Sequence, residues 1–213
     1  PLGERSGFVV GARGLHGAAE ELMGSGFPYG SGDVVARADL GLGENHSIEA
    51  TGFLNQESVD LDFGAPTGPD FVRPTVVDFP SEASWGNSAL SLGYVGQGDR
   101  TAVTLRGALT AYDAELPILS DLPLFASGTT ERRRIVGHVQ RRLDQGFVRV
   151  GASADRIDLA YSARRLASDT LPALPAVRST GGGSVVALFA DGGFQIRPTV
   201  RVGGGLRLAR SLG

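Results

Sequence analysis

Apolar and polar residues alternate with a period of two over long stretches of this chain, and that pattern dictates long β-strands with one apolar and one polar face. The cleanest case is Asp33 to Leu42, where Val34, Ala36, Ala38, Leu40 and Leu42 share one face and Asp33, Arg37 and Asp39 fall between them. The longest case is Trp85 to Asp113, which reads as a hairpin. Leu90, Leu92 and Tyr94 share a parity on its first strand, interleaved with Asn87, Ala89, Ser91 and Gly93. Gly96-Gln97-Gly98-Asp99 supplies the glycine-rich chemistry of a reversal. On the return, Val103, Leu105, Leu109 and Ala111 oppose Thr104, Arg106 and Thr110.

The same reading gives strands over Gly7 to Leu15, Ser47 to Glu57, Arg132 to Arg142, Gly146 to Arg164, Ser184 to Ala190 and Thr199 to Ala209, nine in all. In the seventh, Val148, Val150, Ala152 and Ala154 share one parity and Ile157, Leu159 and Tyr161 the other. A bulge near Asp155, or a strand leaving the sheet there, would account for the switch. The connections alternate: His16 to Ser31, Ser58 to Ser84, Ala114 to Thr130 and Arg165 to Gly182 are long, and those between them are tight. Nine of the 11 prolines fall in the four long connections, as expected of a residue that cannot donate to a sheet ladder.

Two architectures present a sheet with one apolar face. In a soluble sandwich or barrel the apolar face packs inward; in a transmembrane β-barrel it meets lipid and the polar face lines a wet lumen. Sorting of short and long connections to opposite ends favours the membrane barrel, whose periplasmic turns are short and extracellular loops long. Strand length agrees, because about ten residues rising ~3.3 Å each at a tilt of ~40° cover roughly 25 Å, the height of such a barrel's apolar band. The expected fold is therefore all-β, an antiparallel meander of about nine long strands of transmembrane-barrel type, as an incomplete barrel or open curled sheet. Arginine facing lipid at the midplane costs about 2–4 kcal/mol, so Arg13, Arg37, Arg106, Arg149, Arg201 and Arg207 are expected to line the lumen. Tyr94 takes an interfacial position on the apolar parity near a short turn, whereas Trp85 and Tyr112 lie near the other rim on the lumen parity.

Composition sets further bounds. A net charge of −3 gives no case for nucleic acid, and all 20 basic residues are arginine, which coding bias explains as well as anion recognition does. The absence of cysteine removes disulfide and thiolate chemistry. His16, His46 and His138 are scattered without metal-ligand spacing. Gly181-Gly182-Gly183 and Gly203-Gly204-Gly205 precede no helix, so no phosphate loop is expected, and the serines offer no readable triad. No cofactor, metal or enzymatic step is implied. The acids Glu57, Asp60, Asp62, Asp70, Asp78 and Glu82 border or occupy the longest connection. Of these, Asp60, Asp62, Asp70 and Asp78 are the candidates for loop contacts with a ligand.

Four segments carry a family likeness: ERSGFVVGARGLH (Glu4 to His16), PYGSGDVVARADLGLGENHSIEATGF (Pro28 to Phe53), SWGNSALSLGYV (Ser84 to Val95) and VVALFADGGFQIRPTVRVGGGLRLAR (Val185 to Arg210). In order and spacing they resemble the barrel domain of TonB-dependent outer-membrane receptors, which import ferric siderophores, cobalamin and, in some branches, sugars or peptides. The resemblance implies a bacterial outer-membrane location, the lipid bilayer as surroundings, a small-molecule ligand, and an energy-coupling periplasmic protein acting through a plug domain. The family's barrel has 22 strands. The plug, the coupling box and the terminal aromatic residue have no counterpart in this sequence, so the expectation is a fragment of one barrel domain over residues 1–213. A soluble binding module and a passive porin-like channel are the alternatives.

Overall fold

Alternating side chains on an extended backbone satisfy their N–H and C=O groups only by pairing with neighbours, and here every strand pairs with the next in sequence. The computed structural model describes residues 6–15, 29–60, 82–118, 124–167 and 172–212. These form β1 (Gly7–Leu15), β2 (Tyr29–Gly41), β3 (His46–Asp60), β4 (Glu82–Gln97), β5 (Thr101–Ile118), β6 (Leu124–Leu143), β7 (Gly146–Arg165), β8 (Val177–Arg197) and β9 (Val200–Leu212). They make one antiparallel sheet in the order β1 to β9. The sheet is open, with β1 and β9 at its edges.

The register builds each face into continuous rows. Phe8, Ala38, Ala50, Leu92, Gly107, Ile135, Ala154, Val186 and Arg210 lie opposite one another across all nine strands on the apolar face. That face is bare: Leu92 is 60% exposed, Leu206 67% and Phe8 72%. Among the described residues the buried apolar side chains are Ala83, Ala114 and Ala187 alone. A soluble sandwich requires a second layer over this face, and the described residues supply none.

The rows are tilted against the line of short turns. Ala50 is four residues from the turn end of its strand at His46, Ile135 is eight from Leu143, and Arg210 is ten from Val200. Such a progressive offset is the stagger that strands need to wrap into a barrel. Measured from the strand's own turn, the apolar run ends at one height on β3, β6, β7 and β9. On the apolar parity Gln56 is ten residues from His46, Arg133 ten from Leu143, Arg156 ten from Gly146 and Arg210 ten from Val200. At ~3.3 Å per residue and ~40° of tilt this makes a band roughly 25 Å tall. Near its other edge the His46 and Tyr94 rings stack at 5.9 Å, with Nδ1 and the hydroxyl 2.8 Å apart.

Several expected boundaries move. The connection expected over Ala114 to Thr130 shrinks to residues 119–123, because β5 and β6 pair as far as Ile118 and Leu124. Pro117 is accommodated since β4 has already stopped pairing at Ser84 and Glu115, leaving β5 with one neighbour there. The expected break near Asp155 is absent: β7 pairs without a shift on both sides. Ile157, Leu159 and Tyr161 simply lie on the polar face beyond the apolar band. Among the described residues the one register shift lies at Gln195 and Arg197, beside the last turn. Gly181, Gly182 and Gly183 belong to β8 rather than to a connection. Gly43 takes φ of +81° in the first short turn, a conformation that glycine adopts at no steric cost.

Candidate binding surface on the polar face

The opposite parity gathers the charge. Register places all six sequence-predicted arginines on the polar face, and four have carboxylate partners. Arg13 Nε lies 2.5 Å from Asp33. Arg37 donates to Asp39 at 2.9 Å and reaches Glu49 at 3.9 Å, while Arg106 donates to the same Glu49 at 3.0 Å. Arg149 grips Asp191, directly opposite it, with two bonds of 2.8 and 2.9 Å. Arg201 stands opposite Gln195 and Arg207 opposite Phe189, with no carboxylate within ion-pair distance among the described residues.

This charge is divided unevenly. On β1 to β5 the three arginines are matched by Asp33, Asp39, Glu49 and Glu57. On β6 to β9, Arg132, Arg134, Arg142, Arg149, Arg201 and Arg207 share the face with Asp155 and Asp191. Arg132 forks onto Asp155, leaving Arg134, Arg142, Arg201 and Arg207 outside any ion pair among the described residues. One half of the face is close to neutral and the other is strongly cationic.

Beyond the band a polar node was not foreseen from the sequence. Glu57 accepts from the Tyr29 hydroxyl at 2.6 Å and from the Trp85 indole at 3.0 Å on one carboxylate oxygen, and from Asn55 at 3.3 Å on the other. These bonds, that of Tyr29 first, outweigh desolvation and hold the Glu57 carboxyl below its ordinary value, while Glu57 pushes the Tyr29 hydroxyl up. Parity alone placed Trp85 on this face. Its meeting with Glu57 depends on the β3–β4 register, set across the connection 61–81, for which the sequence offers no local signal. Of the loop candidates, Asp60 closes β3 opposite Glu82. Asp62, Asp70 and Asp78 lie outside the described residues.

No family model matches this chain, and no curated protein matches it significantly. Solved structures do. The chain superposes on the ferric yersiniabactin uptake receptor FyuA from Yersinia pestis with a TM-score of 0.65 at 12% identity, covering 86% of this chain and 29% of that one. The FpvAI chain of a complex with pyocin S2 gives 0.67 at 9% identity over 99% of this chain and 34% of that one. The ferric citrate transporter FecA gives 0.61 at 14% identity over 86% and 29%. The fold is that of a segment of the β-barrels it superposes on. The segment spans about a third of the length of these barrel proteins.

Proposed function

We propose that this chain is part of the wall of a bacterial outer-membrane import barrel, with the short turns in the periplasm and the long connections outside. The supporting observation is the exposed apolar band, ten residues tall on β3, β6, β7 and β9 and bounded by arginine at its long-connection edge on the last three. A lipid surround accounts for an apolar face left bare along its length. The polar face then lines the lumen, and its cationic half attracts anionic solute by focusing field in a low-dielectric cleft. A siderophore complex or similar scarce solute fits this wall, as it does the ferric-complex receptors of like fold. Loop contacts are assigned to Asp60, Asp62, Asp70 and Asp78, and import draws on an energy-coupling periplasmic protein. No enzymatic step is assigned.

Two measurements test this. The intact protein, refolded in detergent, is expected to migrate differently on gels before and after heating; a stable detergent-free monomer contradicts the membrane assignment. Titration with ferric citrate and with a ferric catecholate, followed by quenching of Trp85, the single tryptophan, is expected to saturate for at least one. Arg201→Gln with Arg207→Gln is expected to weaken that binding by about tenfold, the loss of roughly 1.4 kcal/mol. Saturation unaltered by the double variant removes the cationic wall from the ligand site.

A further inference from the structure

The cationic half of the polar face repeats one arrangement at two heights. At the upper height Arg134 on β6 and Arg207 on β9 stand outside any ion pair among the described residues, and Phe189 on β8 lies between them, directly opposite Arg207. At the lower height the arginines are Arg142 on β6 and Arg201 on β9, and the ring between them is that of Phe147 on β7, directly opposite Arg142. Each ring leans over a glycine of the neighbouring strand. A Cβ added at Gly151 would meet Phe189 Cζ at 2.5 Å, and one added at Gly193 would meet Phe147 Cε1 at 3.1 Å. With no side chain in the way, both rings rest against the backbone of the wall. Between the two heights Arg149 and Asp191 close on each other with bonds of 2.8 and 2.9 Å.

Both arginine pairs are diagonal. Arg134 lies in the row of Asp155, four residues along the strands from the row of Phe189 and Arg207, and Arg142 lies in the row of Gly203, two residues from Arg201. At about 4.8 Å between strands and ~3.3 Å per residue, the Cα atoms are roughly 20 Å apart in the upper pair and roughly 16 Å in the lower. Two extended arginine side chains reduce either gap to about the length of a single aromatic ring with an anionic group at each end. The upper pair borders a shallow depression of about 370 Å³, lined also by Val136, Ser153, Phe189 and Asp191. Asp155 is held by Arg132, and its charge also reaches Arg134 and Arg207. Three guanidinium groups therefore share one carboxylate there, and the excess is two positive charges.

We propose that this half of the face takes a simple aryl dicarboxylate at two successive stations, Arg134 and Arg207 with Phe189, then Arg142 and Arg201 with Phe147. The assignment rests on the lumen orientation proposed above. At each station one carboxylate sits in the fork of each guanidinium, where two parallel, charge-assisted bonds form, and the solute's ring packs against the phenylalanine. The stations are eight residues apart on β6 and six on β9, which at ~3.3 Å per residue and ~40° of tilt is about 15–20 Å along the barrel axis. The closed Arg149–Asp191 pair separates them, so each station holds its own solute.

Isothermal titration of the intact protein in detergent tests the stations, with terephthalate as the probe and benzoate, phthalate and the saturated cyclohexane analogue of terephthalate as comparisons. Terephthalate is expected to fill two sites and to bind at least about tenfold more tightly than any of the three, consistent with a second charge-assisted contact and a ring contact. Arg134→Gln and Arg142→Gln are each expected to leave one site, and the two together none. Phe189→Leu is expected to lower the upper site alone to the affinity of the cyclohexane analogue. Heat-modifiable migration checks the folding of each variant, and Arg134→Lys, which keeps the charge and loses the fork, is expected to weaken the upper site as well. Benzoate binding as tight as that of terephthalate, or a site count that neither glutamine variant alters, overturns the proposal. Saturation by ferric citrate or a ferric catecholate with none by terephthalate overturns the stations and leaves the import reading standing; saturation by no probe of either kind overturns both.

Discussion

Placing one arginine at position 92 tests the assignment of faces more sharply than any ligand experiment. Leu92 lies on β4 five residues from Gln97, so at ~3.3 Å per residue and ~40° of tilt it stands about 13 Å above the short-turn edge. That is the middle of the band. Its apolar-face neighbours Ala50 and Gly107 offer no carboxylate, and both edges lie beyond easy reach of the side chain. Leu92→Arg is expected to cost about 2–4 kcal/mol, a factor of roughly 30 to 900 in the folding equilibrium. Ser88→Arg, on the same face nine residues from Gln97, stands near the upper edge and is expected to cost about 0–1 kcal/mol. Ser91→Arg, one residue away on the wet polar face, meets only screened repulsion from other arginines, on the order of 1 kcal/mol or less. Denaturant titration of the intact protein in lipid vesicles reads all three. A cost at position 92 within about 0.5 kcal/mol of the parent, or one smaller than at position 91, would refute the lipid-facing assignment.

Other outcomes follow from single contacts. Because the folded carboxyl of Glu57 is held below its ordinary value of 4.5, its contribution to stability is present above that value and lost as pH falls through the lower folded value. Trp85 fluorescence is expected to report this transition below pH 4.5, and Glu57→Gln to abolish it; a transition at or above that pH contradicts the node. At Gly151 an added Cβ would meet the Gly137 carbonyl oxygen at 2.5 Å and the Phe189 ring at 2.5 Å. Gly151→Val is therefore expected to destabilise by about 1–3 kcal/mol through overpacking, while Gly107→Val, with open space around it, is tolerated; equal denaturation midpoints for the two would contradict the packing. Arg149→Ala strands Asp191 on a face already rich in arginine, so its thermal effect is expected to be smaller than that of Asp191→Ala, which leaves another cation unpaired. Paired thermal melts decide the order.

The parity of nearly every strand was legible because alternation is local: Val34 to Leu42 or Val103 to Leu109 needs no partner to be read. Strand ends were legible only within the band. Beyond it the two faces of β5 to β8 are no longer sorted into apolar and polar, so Ile157, Leu159 and Tyr161 could switch parity without a bulge, and Pro117 and the Gly181 run imitated loops while lying in strands. The six arginines could be assigned to a face from parity, but their partners could not. Arg149 and Asp191 are 42 residues apart, and Glu57 and Trp85 are 28 apart, so each pairing depends on register set through a turn or a long connection.

The tilt of the rows against the turns gives the inner wall a handedness that its composition does not show. A hydrogen-bonded row that begins four residues above the turn at β3 ends ten above it at β9, a climb of about 15 Å at ~40° of tilt. The wall is therefore threaded like a screw. Under the proposed lumen orientation, a solute passed between guanidinium groups in neighbouring rows would turn about the barrel axis as it descends, so that transit along this surface would couple translation to rotation. Moving a charge one strand sideways then changes the depth at which the solute is held as well as the side from which it is held.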